Sequence, residues 1–249
     1  MNTPSNKSNL VYYVYCMRYQ PFFQTHDAGS KIELGHDMDT DDVMRMQTAN
    51  VLPPYFFSGG PDNMETYVYL QRPTVELRNE YLSFYQEWKA CGETMVPWVI
   101  SKDPSNFPAM IQFLFDAEKE ENLPEGLVPG STYWLVSEEK RVIGAVNIRH
   151  RLNEALLNAG GHIGYGIRPS ERRKGYATRL LSLALGKAKE LGIACVLVVC
   201  DDDNIGSEKI IVKNGGVQDT SFVEEDGNIV KRFWIRVDPN GACASPSTG

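Results

Sequence analysis

The 249-residue sequence predicts an α/β fold (α+β in stricter usage), with β-prone runs and helical patterns following one another along most of the chain. Two observations predict it. Apolar residues recur at helical spacing in some segments and form short β-branched or aromatic runs in others. At the centre, a strand runs directly into a basic, glycine-containing turn that opens an amphipathic helix. The composition, 42% hydrophobic and 23% charged, suits a chain that buries a sizeable core without disulfides or a structural metal.

The regular order begins at Tyr67. Tyr67 to Leu70 reads as a short strand, and Val75 to Lys89 as a helix with its apolar positions at helical spacing. Gly92 and Pro97 punctuate the stretch after it, and a second helix is expected from Pro108 to Glu121, before Pro124. Thr132 to Ser137 and Arg141 to Arg149, joined by the charged turn Glu138-Glu139-Lys140, predict a hairpin. His162 to Ile167 is a further strand and ends at Arg168-Pro169. The clearest helix comes next, where Ala177, Leu181, Ala184, Ala188 and Leu191 recur at steps of four and three until Gly192 stops it. A strand from Ala194 to Cys200, a helix from Asn204 to Lys213 and two β-prone runs around Asp226-Gly227 complete the order.

Residues 1–66 read as an N-terminal extension of unknown role, packed on the core or partly disordered, and 239–249 as a disordered tail rich in Pro, Gly, Ser and Ala. The extension holds a tyrosine-rich, β-prone run from Val11 to Tyr19 and an acidic patch from Asp37 to Asp42. The spacing of Asp37, Asp39 and Asp41 resembles a calcium loop. However, Asp42 stands where that loop needs glycine and Thr48 where it needs glutamate, so a helix start or solvated loop is the better reading. No other metal-ligand spacing occurs.

The formal net charge of −7 argues against nucleic acid as a partner. No segment reaches the roughly 18 apolar residues of a membrane span, and the polar N-terminus does not read as a secretory signal. The five cysteines, Cys16, Cys91, Cys195, Cys200 and Cys243, are scattered and odd in number. That pattern predicts reduced thiols and a cytoplasmic setting.

The chemistry concentrates in Ile167-Arg168-Pro169-Ser170-Glu171-Arg172-Arg173-Lys174-Gly175-Tyr176-Ala177. A strand, a basic turn and a helix start in succession present main-chain N–H groups and the positive helix end to an anion. Gly175 allows close approach of the backbone, and Ala177 keeps the first helical turn slim. Six Arg or Lys against two Glu between Arg149 and Lys174 support an anion site, and a solvated basic helix start is the alternative. The turn is neither a GxxxxGK[ST] loop nor GxGxxG, because Pro169 takes the sixth position counted from Gly164.

Arg172-Arg173-Lys174-Gly175-Tyr176-Ala177 resembles the [Q/R]xxGx[G/A] loop of the GNAT superfamily of N-acetyltransferases. Asp203-Asn204-Ile205-Gly206-Ser207, leading to Lys213-Asn214-Gly215-Gly216, is similar to that family's next motif. Pro124-Glu125-Gly126 and the run from Gly144 to Glu154 resemble a bacterial-type subgroup of predicted acetyltransferases. The resemblance covers roughly Tyr67 to Val237 and makes 67–238 an acetyltransferase domain. It implies a mixed, mostly antiparallel central sheet, splayed at its middle and flanked by helices. It also implies acetyl-CoA as co-substrate, its pyrophosphate on the amides of Arg172, Arg173, Lys174, Gly175, Tyr176 and Ala177. The N–H near Ile167 would polarise the thioester, and Asn204 would open the helix beside the pantetheine arm.

Acetyl transfer requires a neutral amine and a stabilised leaving thiolate. The resemblance implies direct transfer without an acyl-enzyme, and no GxSxG elbow is present. The family's usual tyrosine, seven residues after the motif asparagine, is Ile211 here. Tyr165 and Tyr176 are alternatives as general acid, or packing residues. His162, Glu154 and His150 are candidate bases, with a structural histidine and a surface carboxylate as the plain alternatives. Arg149 and Arg151 either meet an acceptor carboxylate or form a solvated face. Three functions stay open: an acetyltransferase for a small-molecule or peptidyl amine, a transferase of another acyl-CoA, and a non-catalytic acyl-CoA sensor or partner-binding protein.

Overall fold

The computed structural model describes residues 67–240 and Cys243. The extension 1–66, with its tyrosine-rich run, acidic patch and Cys16, lies outside the described residues, as do the remaining tail positions.

The elements follow in the order β1 (Val68–Gln71), α1 (Arg78–Cys91), α2 (Phe107–Asp116), β2 (Gly130–Ser137), β3 (Val142–Arg149), β4 (Ile163–Ile167), α3 (Tyr176–Glu190), β5 (Cys195–Asp201), α4 (Ile205–Lys213), β6 (Val217–Val223) and β7 (Ile229–Arg236). Strands β1-β2-β3-β4 form one antiparallel sheet, and β5-β7-β6 form a second. The central sheet is thus divided between β4 and β5, as the splay implied.

Side chains alternate across the strands, so one run of sequence feeds two cores. Tyr133 and Leu135 of β2 enter a core with Leu181 and Ala184 of α3, Val198 of β5 and Ile211 of α4. Trp134 and Val136 enter the opposite, aromatic core with Tyr81, Phe84 and Trp88 of α1 and Phe107 of α2. There the Tyr81 and Trp134 rings stack with centroids 4.5 Å apart. Every residue of β2 and β3 is buried, which explains why both strands read as continuous rather than alternating runs.

Helix α2 ends at Asp116, earlier than the expected Glu121. Its apolar stripe, Phe107, Met110, Ile111 and Leu114, is buried. Glu118 to Asn122 offer nothing further to bury, so their favourable helix propensity does not prolong the helix. Short turns at Trp98–Ser101 and Leu156–Gly160 had no sequence signal.

The expectation of reduced thiols fails for one pair. Cys195, at the start of β5, is disulfide-bonded to Cys243, with Cα atoms 5.4 Å apart. Their separation of 48 residues gave no hint, because only the return of β7 alongside β5 brings the tail back to that strand's start. Cys91 and Cys200 are free.

Gly164 and Gly166 of β4 face the segment after α1. A Cβ on Gly166 would sit 1.9 Å from the Val96 carbonyl oxygen, and one on Gly164 would sit 3.4 Å from Pro97 Cβ. Their lack of side chains therefore lets that segment close over the strand. Gly166→Ala is expected to cost roughly 3 kcal/mol, the upper end for overpacking. Gly186→Ala in α3, with nothing within 4 Å of the new Cβ, is expected to gain roughly 0.5–1 kcal/mol. Urea unfolding of both variants checks the contrast.

Candidate functional site

The turn leaving β4 is fastened to α1 by ion pairs. Arg168 is buried and donates from Nε to Glu87 Oε2 at 2.5 Å, from Nη2 to Ser83 Oγ and from Nη1 to the Val142 carbonyl. The other oxygen of Glu87 accepts the Ser170 N–H at 2.6 Å. Burial raises the Glu87 pKa, but the bonds from Ser170 and Arg168 together outweigh it and hold the carboxyl below its ordinary value. Next along the chain, Arg172 donates from Nε to the Ile167 carbonyl at 3.2 Å. Its Nη1 lies 2.7 Å from Glu93 Oε2, and its guanidinium stacks 4.8 Å from the Trp88 ring centroid. Lys174 pairs with Glu171 at 2.9 Å.

Two left-handed residues within three, Arg173 at φ 64° and Gly175 at φ 87°, then curl the main chain into α3. Gly175 is the N-cap and supplies no side-chain acceptor. The N–H groups of residues 173–178 have no hydrogen-bond acceptor among the described residues. A run of such donors at a helix start forms a concave anion site. The donor set, without a competing capping carboxylate, fits a diphosphate. Ile167, Arg172, Arg173, Lys174, Gly175, Tyr176 and Ala177 are all in this one place.

Strand β4 also has an open edge. The Arg168 N–H donates to Ile143 O, and the Arg149 N–H to His162 O. Alternation along an antiparallel ladder turns the N–H groups of Ile163, Tyr165 and Ile167 away from β3, toward β5. Yet β4 and β5 meet through main-chain atoms only at the foot of the gap, where the His162 N–H donates to Leu197 O at 2.7 Å. Above that point the gap is lined on one side by the Ile167 N–H. Asn204 begins α4, its Oδ1 accepting the Ser207 N–H at 3.0 Å. Helix α4 is tied to α3 at its far end, where Asn214 Nδ2 donates to Thr178 O at 3.3 Å.

Of the three catalytic candidates, Tyr165 is in β4, His162 immediately precedes that strand and Glu154 lies before the turn at Leu156–Gly160. His162 is buried, and its Nδ1 accepts the Leu197 N–H at 2.9 Å. Burial, helped by the Arg149 charge, pushes its pKa down to about 4. The neutral ring then carries its proton on Nε2, so neither nitrogen has a lone pair to offer a substrate. That geometry counts against the expected role as base. Glu154 is exposed, at the first turn after Asn153, whose Oδ1 accepts the Leu156 N–H. Tyr165 is half-buried and packs against the core beneath α3. His150 lies 2.9 Å from Ser131 Oγ, and burial depresses its pKa. Arg149 is not a solvated group: it is buried, and its Nη1 donates to the carbonyls of Gly160 and Gly161 at 2.8 and 3.0 Å. Ile211 is fully buried in the core.

Glu87, Ser83 and Leu197, and the pairing of Arg168, were missed by sequence reasoning. Each acts through a partner more than 25 residues away, and no local pattern marks such pairs. No described helix is long and apolar enough to cross a membrane. Among the described residues no cluster of three or more His, Cys, Asp or Glu could hold a metal ion.

Comparison with known proteins places the chain in a family. The family model described as "Acetyltransferase (GNAT) domain" matches residues 67–217. Among solved structures, the chain is similar to the microcin C7 self-immunity acetyltransferase MccE in complex with acetyl-CoA and AMP. That match has 15% identity and a TM-score of 0.50, over 68% of this chain and 92% of that one. The spermidine/spermine N-acetyltransferase SpeG from Vibrio cholerae matches with 16% identity and a TM-score of 0.48, over 68% and 94%. The GNAT domain of PAT from S. lividans matches with 16% identity and a TM-score of 0.45, over 73% and 97%. No curated protein matches at a significant level.

Glu87→Ala would leave Arg168 buried without its carboxylate and is expected to cost roughly 3–5 kcal/mol. The folded carboxyl titrates below its unfolded value of about 4.3. Its contribution is therefore full above that pH and is lost as pH falls through the folded value. Unfolding free energies at pH 7 and pH 3 should show a gap between wild type and variant that is narrower at the lower pH but not abolished there.

Proposed function

The chain belongs to the GNAT family of acetyltransferases, and from that premise we propose that it passes the acetyl group of acetyl-CoA directly to an amine, with no acyl-enzyme between. The observation that carries this reading is the row of N–H groups at 173–178, without protein acceptors, beside the open edge of β4. The similarity in fold to MccE, solved in complex with acetyl-CoA and AMP, supports the same co-substrate.

In this reading the pyrophosphate rests on the donors of residues 173–178 and on the positive end of α3. The exposed Arg173 adds charge at the rim. The pantetheine arm enters the gap between β4 and β5, and the Ile167 N–H is directed at the thioester carbonyl. A fixed main-chain dipole there stabilises the charge that develops on oxygen. The amine attacks as the free base; the N–C bond forms, the C–S bond breaks, and coenzyme A leaves as the thiol after proton transfer. We assign that proton transfer to solvent, since His162 offers no lone pair, Glu154 is exposed and Tyr165 packs into the core.

Direct transfer is supported by the state of the two cysteines of β5. Cys195 is in a disulfide, and burial pushes the Cys200 thiol up to about 12, so neither is a poised nucleophile. The donors read the nucleotide end of the co-substrate alone, so the acyl group and the acceptor amine, small-molecule or peptidyl, are for a substrate panel to identify. A second reading, a non-catalytic acyl-CoA sensor, is favoured by the burial of Ile211 where the family's tyrosine stands.

Calorimetric titration with acetyl-CoA, followed by free-thiol release across an amine panel, decides between them. Saturable binding with thiol release on one amine class is expected; binding without release favours the sensor, and no binding overturns both. Gly175→Glu, which sets a carboxylate among the phosphate donors, is expected to weaken acetyl-CoA binding at least a hundredfold. Unchanged affinity in that variant would remove the site.

A further inference from the structure

We propose that His162 is a positioning residue that fixes the vertex at which the two sheets part, and so sets the width of the acetyl-CoA gap. The proposal rests on the co-substrate lying between β4 and β5.

The vertex is a two-bond clasp on one residue. The His162 main-chain N–H donates to Leu197 O, and the Leu197 N–H donates to His162 Nδ1. In a continuous sheet the Leu197 N–H would meet a carbonyl of the neighbouring strand. Here an imidazole nitrogen takes that place. The strands are therefore joined firmly at this residue, yet β4 is free to leave β5 immediately beyond it. The Leu197 N–H is therefore not orphaned by the separation.

The clasp is braced from three directions. Arg149 of β3 donates its main-chain N–H to His162 O at 2.8 Å and grips the carbonyls of Gly160 and Gly161 through Nη1. Gly161, at φ 63°, brings the chain so close to β5 that a Cβ there would lie 2.8 Å from Leu197 O. Trp234 of β7 stands edge-on to the imidazole, with ring centroids 6.4 Å apart. The adjacent Arg149 charge disfavours an imidazolium, which keeps Nδ1 an acceptor.

The side-chain geometry dictates the test. Asn places Oδ1 where His has Nδ1, whereas Gln places its oxygen nearer the position of Nε2 and Leu has no acceptor. Three full-length variants, His162→Asn, His162→Gln and His162→Leu, are compared by calorimetric affinity for acetyl-CoA and by amide hydrogen exchange at Leu197. With Leu or Gln, affinity is expected to fall about tenfold and the Leu197 amide to exchange at least a hundredfold faster. Asn should restore both to within about threefold of wild type. Should the Leu variant not fold, the Asn–Gln contrast carries the same decision. Equal protection of Leu197 in Asn and Gln overturns the clasp. Equal acetyl-CoA affinity in all variants, with Leu197 released, overturns its link to the gap. If wild type itself binds no acetyl-CoA, the co-substrate reading and the link to the gap fall together, while the exchange arm still decides the clasp.

Discussion

The whole arrangement depends on β4 and β5 being joined at their foot and nowhere above it. A sheet that continued across this boundary would pair the N–H groups of β4 with β5, and none would be left to face a ligand. A sheet that broke completely would leave the two halves free to drift. The structure avoids both by holding His162 and Leu197 together through one main-chain and one side-chain hydrogen bond. Helix α3 then bridges the halves, packing Leu181 and Ala184 into a core shared with Val198 of β5 and Ile211 of α4.

The loop above the gap shows how little of its charge is available to a ligand. The basic run at 168–174 suggested attraction by side chains, but acidic residues of α1, of the segment after it and of the turn itself neutralise most of it. Arg168 belongs to Glu87, Arg172 to Glu93 and Lys174 to Glu171. These cations are spent on holding the turn in shape. The main chain is the chief means left for holding an anion, where Arg173 and Gly175 take left-handed conformations and the first turn of α3 is uncapped. In the proposed reading, anion recognition here is a property of backbone geometry, and the ion pairs secure that geometry.

Much of this was legible in the sequence, for identifiable reasons. The helix marked by Ala177, Leu181, Ala184 and Ala188 and stopped by Gly192 is α3, because one apolar stripe faces one core. The hairpin of β2 with β3, and the two β-prone runs that form β6 and β7, were found because the turns between them are short and polar. The basic turn opening α3 was legible because its residues are contiguous. The catalytic histidine assignment rested on an unperturbed imidazole pKa, and only the fold reveals Leu197 against Nδ1 and Arg149 beside the ring. The Glu87–Arg168 pair and the Cys195–Cys243 disulfide were invisible for the same reason, since each joins residues whose neighbourhood is made by the fold.

Amide-resolved NMR titration of the protein with acetyl-CoA tests the backbone anion site and the joined foot of the gap together. The largest shift changes are expected on the N–H groups of residues 173–178 and of Ile167, with Leu197 unchanged because its N–H is already taken by His162. Changes centred elsewhere, with the 173–178 and Ile167 amides unmoved, would contradict both.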